Sequence, residues 1–176
     1  MHPAPLSSYL TPLLAAACLL LWRQTQRLTR DACLDPLTGL PNRRGLERAW
    51  ARMAGEKALL FIDLDGFKAI NDQYGHAAGD ALLRRVSRRL ANATPPPGLV
   101  TRWGGDEFVA ILPASHAHVQ ADRLRAAMMT GYDLRPQGGP ADARVGLSVG
   151  MCTDKIALEE AVTTAATRLL HVRAGR

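Results

Sequence analysis

Blocks of apolar and polar residues divide this chain of 176 residues into short strands and amphipathic helices. Residues 58–62 are continuously apolar and predict a strand over 58–64 that is buried on both faces. Two apolar runs on either side of Gly104 and Gly105 predict a β-hairpin over 99–112. The remaining apolar pattern predicts a strand at 144–151 and helices near 43–54, 79–92, 115–130 and 157–173.

The order of these elements is β-α-β-β-α-β with added helices. It predicts an α/β fold, an α+β sandwich of the ferredoxin-like or palm type, in which helices surround an antiparallel sheet. The helix at 79–92 ends before Pro95-Pro96-Pro97, since proline cannot continue a helix. Residues 71–80 are polar and interrupted by glycines, so we interpret them as a turn that leads into this helix.

Carboxylates stand at the ends of two predicted strands. Asp63 and Asp65 follow the apolar run, and Asp106 and Glu107 follow the Gly-Gly turn. Unpaired acids are costly to bury, and like charges brought together repel unless a cation separates them. The pattern is therefore consistent with an oxygen-ligand Mg²⁺ site beside a bare backbone that a phosphate can approach. The alternative from the residues alone is a surface hairpin whose acids are solvated.

The N-terminal segment is apolar and then basic. Residues 3–22 carry no charge, and Arg23, Arg27 and Arg30 follow. Because a spanning helix needs roughly 20 apolar residues and arginines favour the cytoplasmic side, we predict a membrane anchor over 1–22. This prediction implies a single-pass protein of a bacterial-type inner membrane. A helix packed on soluble protein and a processed peptide are the alternatives.

The net charge of +6 raises the question of nucleic-acid binding. The one basic cluster lies on a predicted helix beside apolar residues, and we interpret it as a solvated helix face. Its members are Arg84, Arg85, Arg88 and Arg89. Aromatic residues are few, so we predict no nucleic-acid partner. The three cysteines are far apart and lack metal spacing, so they predict neither disulfides nor zinc.

Four segments occur in the order seen in one known family. They are DPLTGLPNRR at 35–44, FIDLDGFKAINDQYGHAAGD at 61–80, RWGGDEF at 102–108 and LSVGM at 147–151. From about Asp35 onward the chain resembles the GGDEF domain of diguanylate cyclases, which condense two GTP into cyclic di-GMP. We therefore expect a GGDEF domain over 35–176, preceded by a helical linker over 23–34 that could form a short dimer seam.

The resemblance implies a metal site and a reaction. Asp63 and Asp106 would hold Mg²⁺, with Mn²⁺ as an alternative, the Leu64 carbonyl as a further ligand and Glu107 near a second ion. Asp106 occupies the position to which the family assigns deprotonation of the attacking 3′-hydroxyl. Catalysis would require a homodimer, because each domain holds one GTP. Asp65 is better explained as a structural acid that pairs with an arginine.

The resemblance also implies how GTP is bound. Gly66, Phe67 and Lys68 match a phosphate-contacting turn. Asn71 and Asp80 match groups that bind guanine, and a pattern of donors and acceptors of this kind excludes adenine. The remaining expected substrate contacts are His76, Gly104, Gly105 and Arg173. For His76, a hydrogen bond that stabilises the turn is an equal alternative.

The sequence departs from the family pattern at two places. Near the C-terminus the family has a lysine and, four residues later, an arginine that bind phosphates; here Arg173 replaces the lysine and Arg176 lies three residues beyond it. Pro95 and Gly98 replace the arginine and aspartate of a product-binding inhibitory site, so we predict no such site. The altered C-terminus keeps a second function open, a catalytically weak GGDEF domain that binds GTP or a partner as a regulatory module.

Overall fold

The computed structural model describes residues 17–25 and 32–174. The chain divides into two units, Met1–Leu34 and Asp35–Arg176. In the first unit, residues 17–25 form an exposed helix. Residues 1–16 and 26–31, which hold most of the predicted anchor and linker, lie outside the described residues.

The predicted membrane localisation is wrong. Within residues 17–25 and 32–174, no helix has both the length and the apolar character that crossing a bilayer requires.

Over residues 35–174, the second unit contains four α-helices, two short 3-10 helices and four strands. In chain order the α-helices and strands are α1 (Arg43–Arg52), β1 (Lys57–Asp65), α2 (Phe67–Ala93), β2 (Leu99–Gly104), β3 (Glu107–Pro113), α3 (Ala117–Ala127), β4 (Gly146–Cys152) and α4 (Leu158–Ala174). Each predicted strand is present, and the predicted helices are present with shifted ends. The largest shift concerns the start of α2.

The strands form one sheet in the order β2-β3-β1-β4, and every neighbouring pair is antiparallel. This arrangement confirms the predicted α/β fold with an antiparallel sheet of ferredoxin-like order. The central strand β1 pairs with β3 on one side and with β4 on the other. The acidic end of β1 is therefore placed between the hairpin and the start of β4.

Strand β1 is buried on both faces, as its continuous apolar run predicts. Leu60 and Ile62 belong to a core that α2 and α3 cover, whereas Leu59 and Phe61 belong to a second core that α1 and α4 cover. Alternate residues of a strand point to opposite faces, so the run had to supply two cores at once. The helices thus form one layer on each side of the sheet.

Helix α2 corrects the predicted turn at 71–80. The helix begins at Phe67, and residues 71–80 lie within it. Only Gly75 departs from helical geometry, with φ 79° and ψ 166°, and it kinks the helix. Several of the polar residues that suggested a turn, such as Asp72 and Gln73, are exposed, and one glycine redirects the chain.

The basic cluster on α2 is also less solvated than predicted. Arg84 and Arg88 are exposed, but Arg85 donates to the Asp133 carbonyl. Arg89 donates to the carbonyls of Ala127, Thr130 and Gly131, and its guanidinium stacks 3.9 Å from the centre of the Tyr132 ring. Arg89 therefore binds the last carbonyl of α3, and both arginines hold the following loop against α2.

Candidate active site

The acidic end of β1 meets the hairpin directly. Asp63 pairs in register with Glu107 on β3 and with Ser148 on β4. Asp65, two residues further along β1, accepts a hydrogen bond of 2.7 Å from the Ser148 hydroxyl. The sheet therefore brings together the carboxylates of two sequence segments more than forty residues apart, as the carboxylate pattern predicts.

Asp106 lies in the turn between β2 and β3. Gly105, immediately before it, has φ 52°, a left-handed conformation that a side chain disfavours. This turn places Asp106 near enough to Asp63 for their negative charges to interact. The hairpin thus delivers two acids, one in the turn and one on β3, to the end of the central strand.

Burial and mutual repulsion perturb these carboxylates. Burial raises the pKa of Asp63, and the negative charges of Asp106 and Asp65 raise it further, although Arg173 opposes this shift. Burial also raises the pKa of Glu107, as do the charges of Asp63 and Asp106. A cation bound among these groups would relieve both effects. The site is therefore electrostatically suited to a positively charged ligand.

In this structure the cation beside Asp63 is an arginine. Arg173 Nη1 lies 2.8 Å from Asp63 Oδ1, and Arg173 Nε lies 3.8 Å from Asp65 Oδ1. The Asp63 side chain is 13% exposed and that of Arg173 is 43% exposed, so the pair lies at the edge of the core. Helix α4 thus brings its last turn to the acidic end of β1.

The carboxylates are not arranged as a complete metal-binding site. Among the described residues, no group of three His, Cys, Asp or Glu side chains is arranged to hold a metal ion. The chemistry of the donors nevertheless suits a hard cation, because the acidic side chains near the end of β1 and in the hairpin supply carboxylate oxygens. The metal ligands expected from the sequence stay a prediction.

The start of α2 adjoins the same end of β1. Gly66 has φ 86° and turns the chain from β1 into the helix, whose first residues are Phe67 and Lys68. No side chain caps this helix start. Phe67 is buried and anchors the turn, whereas Lys68 is exposed. Uncapped amides at the start of a long helix attract anions, so the geometry suits a phosphate.

The kink in α2 brings Asn71 back over the second half of the helix. A Cβ atom on residue 79 would overlap Asn71 Oδ1 and would lie 3.3 Å from Phe67 Cζ. Gly79 therefore leaves room for the Asn71 amide, and the half-buried Asp80 is its neighbour in the chain. The two residues expected to bind guanine lie on one element, on either side of the kink. His76 is exposed directly after the kink.

A clamp that we did not predict holds the Gly-Gly turn. Arg102 donates two hydrogen bonds, of 3.0 and 2.8 Å, to the Gly105 carbonyl. It also donates to both oxygens of Asp35, at 3.1 and 3.2 Å, and the two side chains are only 14% and 17% exposed. The Thr38 amide and hydroxyl donate in turn to Asp35. Both charged residues occur in the quoted family segments, which is the sequence feature that marks them.

A second unpredicted contact lies on the other side of the turn. Arg43, the first residue of α1, donates a hydrogen bond of 3.0 Å to the Trp103 carbonyl. Its guanidinium stacks 4.2 Å from the centre of the Trp103 ring, and that ring packs edge-on against Phe61. Arg43 is therefore fixed beside Gly104, outside the set of residues expected to bind substrate.

The positions that replace the inhibitory site lie in the loop between α2 and β2. The Gly98 amide donates to the Pro95 carbonyl, which closes a tight turn. Neither residue carries a charged side chain. The absence of an inhibitory site stays a prediction.

Comparisons with known proteins identify the family. The family model described as diguanylate cyclase, GGDEF domain, matches residues 32–174. The chain is 41% identical over 109 residues to the diguanylate cyclase DgcP of Pseudomonas aeruginosa, covering 56% of this chain and 16% of that protein. It is 31% identical over 142 residues to the diguanylate cyclase VdcA of Vibrio cholerae, covering 79% of this chain and 41% of that protein. The chain thus spans less than half the length of either relative.

Solved structures agree with the sequence comparisons. The coiled coil and GGDEF domain of DgcB from Caulobacter crescentus, in complex with c-di-GMP, superposes with a TM-score of 0.77 at 27% identity. That match covers 97% of this chain and 95% of the DgcB chain. The GGDEF domain of a Pseudomonas aeruginosa protein named TpbB or YfiN gives a TM-score of 0.70 at 30% identity, covering 81% and 90% of the two chains. The chain belongs to the GGDEF family of diguanylate cyclases.

Proposed function

We propose that this chain condenses two GTP molecules into cyclic di-GMP and pyrophosphate. The observation that carries the proposal is the meeting of Asp63, from the end of β1, with Asp106 and Glu107 of the hairpin. Nucleotidyl transfer needs charge neutralisation and accurate positioning more than it needs covalent chemistry. An acidic site beside an uncapped helix start supplies the parts for both.

In the proposed site, different parts of the nucleotide would contact the start of α2, the region around its kink, and the hairpin. The start of α2, with Gly66, Phe67 and Lys68, would hold phosphates. Asn71 and Asp80 would bind guanine, which offers donors to Asp80 that adenine lacks. Gly104 and Gly105 would let the nucleotide approach the hairpin backbone closely. His76 would contact the nucleotide beyond the kink.

The carboxylates fit a divalent cation, which we propose is Mg²⁺, with Mn²⁺ as an alternative. Asp63, Asp106 and the Leu64 carbonyl would hold it, and Glu107 would lie near a second ion. Such an ion neutralises charge on the transferring phosphate. Asp106 would accept the proton of the attacking 3′-hydroxyl. Two domains would meet face to face, because one site holds one GTP and the product has two-fold symmetry.

A second function is favoured by one contact. Arg173 is paired with Asp63, the residue that we propose as a metal ligand. A GGDEF domain in which this pair stays closed would bind a nucleotide or a partner without turning GTP over. In the active enzyme the pair must open, and Arg173 would then be free to bind a phosphate.

Replacing Asp106 with Asn tests the proposed chemistry. The substitution keeps the size of the side chain but removes its negative charge and its ability to take a proton. We expect Asp106→Asn to lower the rate of cyclic di-GMP formation by about a hundredfold or more, while the melting temperature changes little. The matched control is Asp122→Asn, which alters an exposed acid paired with Arg125 on α3. Activity of Asp106→Asn within tenfold of wild type would contradict the assignment.

A further inference from the structure

The two glycines of the hairpin turn are required for different reasons. Gly105 has φ 52°, so a side chain there would be strained. Gly104 lies at the end of β2 without a left-handed φ. Among the described residues other than its two chain neighbours, a Cβ atom on Gly104 would meet only one heavy atom within 4 Å, Arg43 Nη2 at 3.9 Å. Neither backbone conformation nor protein packing therefore explains the missing side chain at residue 104.

The space above Gly104 is consequently open, and Arg43 forms its rim. At Gly79, by contrast, the Asn71 amide fills the place that a side chain would take. At Gly104 no such neighbour is present within the described residues. An open volume over bare backbone, next to a guanidinium, is the shape and charge that an anionic group requires.

Arg43 is held in place before any ligand binds. Its Nε donates to the Trp103 carbonyl at 3.0 Å, and its guanidinium stacks on the Trp103 ring at 4.2 Å. That ring packs edge-on against Phe61, with the ring centres 6.3 Å apart. A guanidinium fixed in this way loses little conformational freedom on binding, and its Nη2 lies 3.9 Å from the position that a Cβ atom on Gly104 would take.

The charge around Arg43 explains why a cation is needed there. Glu107 lies on the adjoining strand, and the positive charge of Arg43 opposes the rise in its pKa that burial, Asp63 and Asp106 produce. A phosphate that approaches the hairpin must come near these three carboxylates. A fixed cation on the side of Gly104 would lower the electrostatic cost of that approach.

We propose that Arg43 binds a phosphate of the substrate nucleotide over Gly104, as a substrate-binding residue outside the set expected from the family. The identity of the nucleotide rests on the proposed function. The role assigned to Gly104 and Arg43 rests on the open space and the fixed guanidinium.

The test uses the full chain and a substrate that cannot react. 3′-Deoxy-GTP lacks the attacking hydroxyl, so its binding is measured without turnover, and 3′-deoxyguanosine is the same ligand without phosphates. NMR titration measures both, including millimolar affinities. The variants are Arg43→Gln and its matched control Arg44→Gln, an exposed arginine one residue further along α1.

We expect Arg43→Gln to weaken 3′-deoxy-GTP binding about tenfold or more, the usual effect of losing a hydrogen bond to a charged group. Binding of 3′-deoxyguanosine should change less than about twofold, and Arg44→Gln should leave both unchanged within the same limit. Gly104→Ala, which closes the open space, should also weaken 3′-deoxy-GTP while the melting temperature falls little.

Three outcomes would overturn the proposal. Equal loss for both ligands in Arg43→Gln would show that Arg43 only supports the hairpin through Trp103. An unchanged affinity for 3′-deoxy-GTP would show that no phosphate contacts it. Equal effects of Arg43→Gln and Arg44→Gln would indicate a general charge effect. Since none of these measurements depends on turnover, they are separate from the question of whether wild type makes cyclic di-GMP.

Discussion

Strand position, burial and repulsion between like charges all act on Asp63. It lies near the end of the central strand β1, faces Glu107 on the neighbouring strand β3, and carries a charge that Asp106 and Asp65 repel. Arg173 supplies the only counter-charge that contacts it within the described residues. Burial and nearby negative charges disfavour the ionised form of Asp63 in the free protein. The same features make Asp63 a suitable place for a cationic ligand.

The Asp35–Arg102 pair differs from Asp63 because its charge is satisfied. Burial raises the pKa of Asp35, but the hydrogen bonds from Thr38 and Arg102 together lower it below its ordinary value of 3.8. A carboxylate with a depressed pKa stabilises the folded state above the unfolded pKa. That contribution is lost as the pH falls through the folded pKa.

We therefore predict a pH-dependent effect of Asp35→Asn on stability. At neutral pH the variant should lower the free energy of unfolding by about 1 to 3 kcal/mol, because hydrogen bonds to a charged, largely buried group are lost. The difference from wild type should shrink below about pH 4, where Asp35 becomes protonated in the unfolded chain and then in the folded protein. Urea unfolding between pH 3 and pH 7 measures it.

The exposed pair of Asp142 and Arg144 provides the control. Asp142→Asn should change the free energy of unfolding by less than about 1 kcal/mol at every pH, since surface ion pairs contribute little. A constant effect of Asp35→Asn from pH 3 to pH 7 would show that its charge does not matter.

Among the elements, α2 determines how the proposed nucleotide site is arranged. Its uncapped start lies at the acidic end of β1. Its kink at Gly75 lies between Asn71 and Asp80 in the chain. A straight helix would carry these side chains away from each other around and along its axis. The kink is thus the local feature that makes one helix able to hold two parts of a nucleotide.

Two glycines on α2 give a direct prediction. Gly75→Ala should strain the kink, and Gly79→Ala should push the Asn71 amide out of its place. We expect each variant to raise the KM for GTP about tenfold or more and to reduce discrimination against ATP. Steady-state kinetics with both nucleotides measure these effects.

Gly55→Ala separates backbone strain from the effect on the site. Gly55 has φ 76° and lies in the loop before β1, and in the part of the chain that the structure describes no atom lies within 4 Å of the place a Cβ would take. The control should lose stability as Gly75→Ala does but keep the KM for GTP. Equal changes in KM for all three variants would show that only stability is being measured.

The sequence predicts the elements of the sheet better than the start of α2. Apolar periodicity fixes the strands because each must bury one or both faces. It misplaces the start of α2 because residues 71–80 are polar and contain glycines, although Gly66 and the buried Phe67 are sufficient to begin the helix. Tertiary packing overrides local preference there.

The candidate site is predictable only in part. The acidic strand ends and the glycine turn are visible in the sequence, because they depend on residues that are neighbours in the chain. The contacts of Arg102 with Asp35, of Arg173 with Asp63 and of Arg43 with Trp103 join distant segments. Nothing in local spacing specifies those contacts. The sheet register and the ends of α1 and α4 bring them about.

On the scale of the whole molecule, the second unit holds one sheet and one acidic site. A two-fold symmetric product made from two nucleotides requires two such sites to face each other. We therefore predict that the specific activity of the full chain rises with its concentration below the dimer dissociation constant, so that the rate depends on the square of the concentration. A dilution series at saturating GTP measures it. Constant specific activity over the whole series would show that a single chain, or a dimer too tight to dissociate, carries the reaction.

The central claim is that the acidic site beside the hairpin turns GTP into cyclic di-GMP. The measurement that tests it most directly is mass spectrometry of the products formed when the purified full chain is incubated with GTP and Mg²⁺. We predict that wild type forms cyclic di-GMP and pyrophosphate and that Asp106→Asn forms neither product at a detectable level. Wild-type protein that binds GTP at micromolar concentrations but releases no cyclic di-GMP, at any protein concentration tested, would contradict it.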